Sequence, residues 1–348
     1  MIRCDPSGKE GVPLKIIQFR VFLSFILIKC TLFFTPSLFS ISDGVIDVRL
    51  PAYDSSGRLL WEMTAAELEL LEDKSYFALN PTLSILENRK PTTQAFSKDG
   101  IFDLNKNTAG GNDVLYIKGN GFGALGNPWT FEGQDSEQSS RLHFAENGNV
   151  GFDYDLGREF AGLALPDTKD QSTHNHSLIK EIKNAFPDVN AFPTTAKAES
   201  MLLLDLGGGK HEFVLRGQTE IKMKPADNNG TLSQATVITC EEAVVELEND
   251  PNRSDKKNMG EIKKITATGK VIISQPFRIC KADRIEWNEE GGGGLLLEGS
   301  AEVHDSKWGK AEGEKILLRK EDGRAEVMGG ESRSKLSIPI SPNFNLTR

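Results

Sequence analysis

"CKADRIEWNEEGGGGLLLEGSAEV" spans residues 280–303 and contains two runs of alternating apolar residues around a glycine-rich turn. Alternation with a period of two predicts strands with one buried face, and the turn joins them into a hairpin. A similar stretch, "AKAESMLLLDLGGGKHEFVLRGQTEI", occupies residues 196–221. The chain therefore repeats one hairpin design, and the fold depends on how the copies stack.

Each copy has two apolar positions in its first strand, five and seven residues after the start. Its alternating second strand leads to a glycine, or to Pro81 in the first copy. The copies start at Met63, Ser97, Ala196, Cys240, Cys280 and Ala311. Their apolar positions are the candidate lining of an interior: Leu68, Leu70, Phe77, Leu79, Phe102, Leu104, Met201, Leu203, Phe213, Leu215, Val245, Leu247, Ile285, Trp287, Leu295, Leu297, Ile316 and Leu318. We predict that these side chains face one way, either filling a core with each other or leaving a slot for a ligand.

The spacing within each copy also predicts a break in the strand. A small residue two positions after the start and the first apolar position differ by three residues, so the side-chain parity changes between them. A β-bulge at this point would keep both on the inner face, and the glycine of the second strand would mark the matching bend. A shorter copy is predicted at residues 141–152, as a hairpin around Asn147-Gly148. Repeated hairpins predict an all-β, elongated stack.

The N-terminal segment has a different composition. Lys15 and Arg20 precede an apolar run from Val21 to Phe34 that Lys29 interrupts. The run is shorter than the roughly 20 residues that a membrane span needs. It predicts a secretory signal over residues 1–42, with a retained N-terminal anchor as the alternative.

Charge and cysteine content exclude several classes of protein. The whole chain has a net charge of −9, and its basic N-terminal segment leaves the remainder more acidic still, which argues against a nucleic-acid partner. Beyond that segment only Cys240 and Cys280 remain. Equivalent positions in consecutive hairpins are two strands apart, about 9.6 Å, and a disulfide needs Cα atoms within about 7 Å. We predict no Cys240–Cys280 disulfide.

No catalytic constellation is present in the sequence. His174 and His176 lie in a polar stretch without further ligands at metal-site spacing. "GGGKH" at residues 207–211 lacks the pattern of a phosphate-binding loop and sits at a predicted hairpin turn. Acidic residues cluster beside turns, as solvated side chains do. We predict a protein that is not an enzyme and that has no cofactor, no metal site and no catalytic residue.

The motif "KADRIEW…LLLEGSAEV…AEGEKILL…GRAEVMGG" resembles the OstA/LptA-type repeat of lipopolysaccharide transport, over about Thr194 to Gly330. "LPAYDSSGRLLWEMTAAELELLEDKSYFALNPTLSI", from residue 50, is similar to the start of the LptC-type domain, over about Val45 to Gly126. This resemblance implies an open twisted β-jelly roll with an apolar interior that holds acyl chains. Both families are usually separate chains, whereas here both patterns occur in one.

The resemblance also implies a function and partners. It implies a periplasmic protein of Gram-negative outer-membrane biogenesis that carries lipopolysaccharide, through its lipid A acyl chains, from the inner membrane toward the outer membrane. Other jelly-roll transport proteins would dock edge to edge, at the first hairpin near Trp61 to Leu70 or at the last hairpin, Lys310 to Met328. The N-terminal segment is either removed or an inner-membrane anchor. The alternative is a structural β-repeat protein of the envelope with a filled core and no ligand.

The predicted organisation has two tandem jelly-roll units. The segments are 1–42 (signal or anchor), 43–165 (LptC-like domain), 166–193 (linker with a short helix near 177–185), 194–331 (OstA/LptA-like domain) and 332–348 (tail).

Overall fold

The computed structural model describes residues 44–53, 57, 59–87, 90–103, 106–133, 140–156, 188–224, 235–249, 260–289, 294–306, 309–319, 325–328 and 335–337. The compact unit that contains them runs from Gly44 to Arg348. Within these ranges no helix has the length and apolar composition to cross a membrane. The predicted signal segment and the predicted helix near 177–185 lie outside the described residues.

The described residues are almost entirely antiparallel strands, which confirms the predicted all-β jelly roll. The strands of the first part are β1 (Val45–Tyr53), β2 (Leu59–Leu70), β3 (Tyr76–Leu79), β4 (Thr82–Glu87), β5 (Lys90–Phe96), β6 (Asp99–Asp103), β7 (Thr108–Gly111), β8 (Leu115–Gly119), β9 (Phe122–Gly126), β10 (Trp129–Glu132), β11 (Ser140–Phe144) and β12 (Gly148–Phe152). A short 3₁₀ helix, Val189–Ala191, precedes the second part. Its strands are β13 (Thr194–Ala198), β14 (Ser200–Gly207), β15 (Lys210–Met223), β16 (Thr236–Glu248), β17 (Glu261–Gln275), β18 (Arg278–Asn288), β19 (Leu295–Asp305), β20 (Gly309–Leu318), β21 (Ala325–Met328) and β22 (Lys335–Ser337).

The strands form two rows. The long strands belong to both rows, and each of them bends where it passes from one row to the other. Row A contains β3, β6, β7, β10, β11 and β14, then one half of each long strand from β15 to β20, then β21. Row B contains β4, β5, β8, β9, β12 and β13, then the other halves of β15 to β20, then β22. β2 begins both rows, and β1 pairs along it. The hydrogen-bonded ladder is continuous through β11–β14 and β12–β13, where the two predicted units meet; the unit boundaries themselves stay a prediction.

The bend of each long strand is a β-bulge, as predicted from the spacing. The pairing register shifts between Arg216 and Thr219 in β15 and between Glu298 and Ala301 in β19. Gly299 lies in this bend with φ of 73°, a conformation that glycine adopts without a steric penalty. A Cβ added there would lie 2.5 Å from Oδ2 of Asp283 on the neighbouring strand, so the glycine also gives room to that carboxylate.

Two predictions about individual strands are wrong. Asn147-Gly148 does not turn a hairpin, because β11 lies in row A and β12 lies in row B, and no pairing joins them. The dipeptide instead forms the bend between rows, where Asn147 adopts a φ of 52°. The N-terminal edge was expected near Trp61 to Leu70, but β1 covers that strand and is itself the outer strand of the described residues.

Candidate functional site

The candidate site is the interior between the facing sides of rows A and B. In row A, one residue of each strand pairs directly with one residue of the next strand. Together these residues form a continuous line across the row, and their side chains face the interior. This register line consists of Leu70, Tyr76, Phe102, Ala109, Phe131, Leu142, Leu203, Phe213, Val245, Ile265, Trp287, Leu295, Leu318 and Ala325. All are apolar or aromatic, since alternation along each strand places the charged neighbours on the outer face.

The structure brings the candidates from β14 to β20 together in one hydrophobic core. Each is buried, with no more than 7% of its surface exposed. They are Met201, Leu203, Phe213, Leu215, Val245, Leu247, Ile285, Trp287, Leu295, Leu297, Ile316 and Leu318. This part of the chain, β13–β20, is called the C-terminal stretch below.

The N-terminal candidates behave differently. Leu68 and Phe102 are half-buried on the inner face, and 64% of Leu70 is exposed. Phe77 and Leu79 lie on the outer face, since they pair with Glu69 and Glu67.

In the second strand of the first copy, the predicted inner positions are therefore wrong by one residue. Tyr76 and Ala78 face the interior instead of Phe77 and Leu79. Leu104 lies outside the described residues. The strands β2–β7 are called the N-terminal stretch below.

Most of the residues on the interior side of row B are not among those predicted from the sequence to line the interior. Those residues are Ile117, Phe122, Val150, Phe152, Ile221, Ile238, Val271, Ile273 and Val303. Ile221, Ile273 and Val303 follow the bend glycines, so alternation continued past each glycine would have found them. Ile238 also pairs with Ile273, which in turn pairs with Cys280. The residue of β16 that is equivalent to Cys280 is therefore Ile238, so the copy predicted to start at Cys240 starts two residues earlier.

Aromatic rings close the middle of the interior. Phe122 and Phe152 project from row B, and each ring centre lies 5.0 Å from that of Phe213 in row A, in edge-to-face geometry. His211 lies beside this cluster, 5.2 Å from the Phe122 ring, and burial lowers the pKa of its imidazole. Because rings from opposite rows are in direct contact, the interior is filled at this point.

The rims of the two rows also meet over this aromatic cluster. Gly121, in the β8–β9 turn of row B, has φ of 80°. A Cβ at Gly121 would lie 2.1 Å from the backbone nitrogen of Gly260, which immediately precedes β17 on the rim of row A. Asn249, at the end of β16, lies against Gly260 and donates its backbone N–H to the Gly209 carbonyl at 2.9 Å. The rim contact depends on glycine at both positions.

Among the buried residues that the structure describes, only Arg278 and Asp305 carry charge. They lie opposite each other on β18 and β19, at the rim of row B. Nε of Arg278 donates to Oδ2 of Asp305 at 2.9 Å, and Nη2 lies 2.7 Å from the same oxygen. A buried charge needs such a partner, because an isolated one is very costly in an apolar interior. The other buried residues that the structure describes carry no charge.

Both described cysteines are free and buried, which confirms the prediction that Cys240 and Cys280 form no disulfide. Burial raises the pKa of each thiol to about 12. In the described part of the chain, no group of His, Cys, Asp and Glu side chains could hold a metal ion.

No protein-family model and no curated protein matches this chain. A solved structure that is similar is the crystal structure of LptH from Pseudomonas aeruginosa, described as the LptA homologous periplasmic component of the conserved lipopolysaccharide transport device. The two chains are 18% identical, and the match covers 42% of this chain and 96% of LptH, with a TM-score of 0.29.

Proposed function

We propose that this protein binds lipopolysaccharide by its acyl chains and carries it across the periplasm, from the inner membrane toward the outer membrane. The observation that supports this proposal is the apolar interior, which continues along one hydrogen-bonded ladder from β2 to β20. An acyl chain needs apolar surface and no hydrogen-bond partner, and the interior supplies that. The resemblance of residues 45–126 and 194–330 to lipopolysaccharide-transport domains supports the same substrate.

Docking to other jelly-roll proteins belongs to the same proposal. In the described residues β1 pairs only with β2, and β21 and β22 pair only with β20. Exposed strand edges can accept a strand from another chain. At the β1 edge, Ile46 is 74% exposed. The two edges are where we place partners in the envelope.

A second candidate function rests on a different observation. Leu297 and Ile285 have no exposed surface, as expected of a core that its own side chains fill. A structural envelope protein without a ligand would have such a core throughout. The two functions differ in whether a lipid accompanies the folded chain.

The test is to purify the full chain from the envelope without detergent and to identify its lipids by mass spectrometry. Transport predicts lipopolysaccharide as the main lipid, above the carry-over that an unrelated periplasmic protein shows in the same preparation. Photo-crosslinkers at Trp61 and Leu297 (inner face) and at Glu298 (outer face) provide the matched control. Absence of lipopolysaccharide in the preparation and at every inner position would leave the structural function.

A further inference from the structure

The interior is not equally closed along its length, and the difference points to one part of it as the lipid site. At the N-terminal stretch, Trp61 and Ile85 pair with each other on the inner face of row B, and both are half-buried. On row A, Phe102 is half-buried and Leu70 is 64% exposed. Phe213, further along the same register line, has no exposed surface. Apolar surface on the inner face is therefore accessible only near β2–β7 among these positions.

The charged side chains of this stretch lie on the other face. Glu62 pairs with Ser84, and Gln94 of the next strand pairs with Lys118, so these positions share the outer face of row B. Glu67 and Glu69 occupy the outer face of row A. The accessible inner surface is consequently uncharged, and its polar groups are the hydroxyls of tyrosine and threonine and the indole N–H of Trp61.

The accessible stretch ends at a defined place. The first ring on the inner face is Trp129 of β10, which is 4% exposed and has its ring centre 6.5 Å from that of Phe102. A Cβ at Gly100 would lie 3.1 Å from this indole. Further along, Phe122 and Phe152 contact Phe213 across the interior, and the Gly121–Gly260 contact joins the rims above them. A chain that enters between the rows from the N-terminal end would meet these rings. Beyond them, the core residues of the C-terminal stretch pack against each other.

The chemistry of the surface decides between a lipid and a polypeptide as its occupant. A peptide segment between two sheet faces would bury backbone N–H and C=O groups that these faces cannot pair. A helix pairs its own groups, but its diameter of about 10–12 Å exceeds what two sheets packed about 10 Å apart leave between their side chains. An acyl chain is narrower and has no polar group to satisfy.

We infer that acyl chains bind between rows A and B at β2–β7 and end against Trp129, ahead of the Phe122–Phe152–Phe213 cluster, whereas the C-terminal stretch is a packed scaffold that takes no lipid. This inference rests on the proposed function and narrows it to one part of the interior. It assigns lipid contact to Trp61, Ile85 and Phe102, and it removes Ile285, Trp287 and Leu297 from the site.

Two native tryptophans make the test direct, because Trp61 lies in the N-terminal stretch and Trp287 in the C-terminal stretch. Two full-length variants keep one of these residues each, with the other tryptophans of the chain replaced by phenylalanine. The probe is a fatty acid that carries bromine on its acyl chain, which quenches tryptophan fluorescence on contact. We expect the Trp61 protein to lose most of its emission and the Trp287 protein to keep it.

The controls are the fatty acid without bromine and an Ile101→Trp variant that lacks the other tryptophans. Ile101 is 49% exposed and precedes Phe102 on the outer face, so it reports adsorption to the surface. Equal quenching of Trp61 and Trp287, or of Trp287 alone, would overturn the inference. Quenching of the Ile101→Trp variant as strong as that of the Trp61 protein would do the same, because the contact would then be nonspecific.

A second measurement separates failure of this inference from failure of the proposed function, and it does not need the tryptophan replacements to fold. A photo-crosslinker at Phe102, Ile101 or Leu297, in the otherwise native chain, is exposed to purified lipopolysaccharide. Capture at Phe102 but not at Ile101 supports the inference. Capture at Leu297 without capture at Phe102 overturns the inference and retains lipid transport, and capture at no inner position overturns both.

Discussion

The N-terminal and C-terminal stretches share one ladder, one register line and one apolar inner face, yet the predicted lining residues are all buried only in the C-terminal stretch, whereas Phe102 is half-buried and Leu70 is 64% exposed. The difference lies in strand length and side-chain size. β3 has 4 residues and β7 has 4, whereas β17 has 15 and crosses both rows. On row A the inner positions beside the bend are Ala78 and Gly100 in the first case, where the Trp129 ring lies against Gly100, and Met201 and Leu215 in the second. Hydrophobic patterning orients the faces, and side-chain volume determines whether they meet.

The largest expected difference between the two stretches is the loss of stability when an aromatic ring is removed from each. Phe213→Ala removes a fully buried ring that contacts Phe122 and Phe152, and we expect a loss of about 3–5 kcal/mol in the free energy of unfolding. Phe102→Ala removes a half-buried ring and should cost distinctly less. Urea midpoints of the two variants without lipid measure the difference. Equal losses would mean that the two stretches are packed alike.

Leucine truncation adds lipid binding to the comparison. Leu297→Ala should cost about 2–5 kcal/mol, because it leaves a cavity in a dry core. Leu68→Ala, at a half-buried position of the N-terminal stretch, should cost less stability. Urea midpoints and lipopolysaccharide capture are measured on both variants. We expect Leu297→Ala to keep its lipid capture and Leu68→Ala to reduce it, and the reverse pattern would place the lipid in the C-terminal stretch.

A bend glycine tests whether the C-terminal stretch depends on its bulges. Gly299→Ala forces a Cβ into a positive-φ position and toward Asp283, at a cost of about 1–3 kcal/mol. Ser300→Ala, at the next residue, leaves Gly299 in place and is the control. Thermal unfolding followed by circular dichroism measures both. A Gly299→Ala protein as stable as the control would show that the bend relaxes without the glycine.

Thiol reactivity compares the stretches with almost no change in stability. In a chain with Cys4 and Cys30 replaced by serine, Cys240 and Cys280 should resist a thiol reagent at neutral pH, whereas a cysteine introduced as Ala95→Cys in the N-terminal interior should react. Burial raises the pKa of both native thiols to about 12. A raised pKa stabilises the fold below the ordinary thiol pKa of about 9, and this contribution is lost as the pH rises toward 12. Labelling of Cys280 at neutral pH in folded protein would show that the C-terminal core opens.

The local pattern of apolar residues was sufficient to predict the repeated hairpin. The alternation in residues 280–303 predicted two paired strands, the change of parity predicted a bulge, and Gly299 marked the bend that the structure contains. These features depend on side-chain direction along a strand and on backbone conformation at glycine, which a short stretch of sequence already specifies.

Pattern was insufficient where short strands left the register undetermined. Phe77 and Leu79 alternate as well as Tyr76 and Ala78 do, and only the pairing with β2 and β6 decides which pair faces the interior. Asn147-Gly148 has the composition of a hairpin turn, yet the neighbouring strands β10 and β14 draw β11 into row A.

By itself, the sequence determined the hairpin unit, the apolar inner face and the bulges. Only the tertiary structure decided that the two rows touch at Phe122, Phe152 and Phe213 and are accessible near Trp61. The physical reason is distance along the chain. Contact between the rows depends on the combined volume of side chains from strands far apart in sequence, and this sum is not encoded in the period of any one strand.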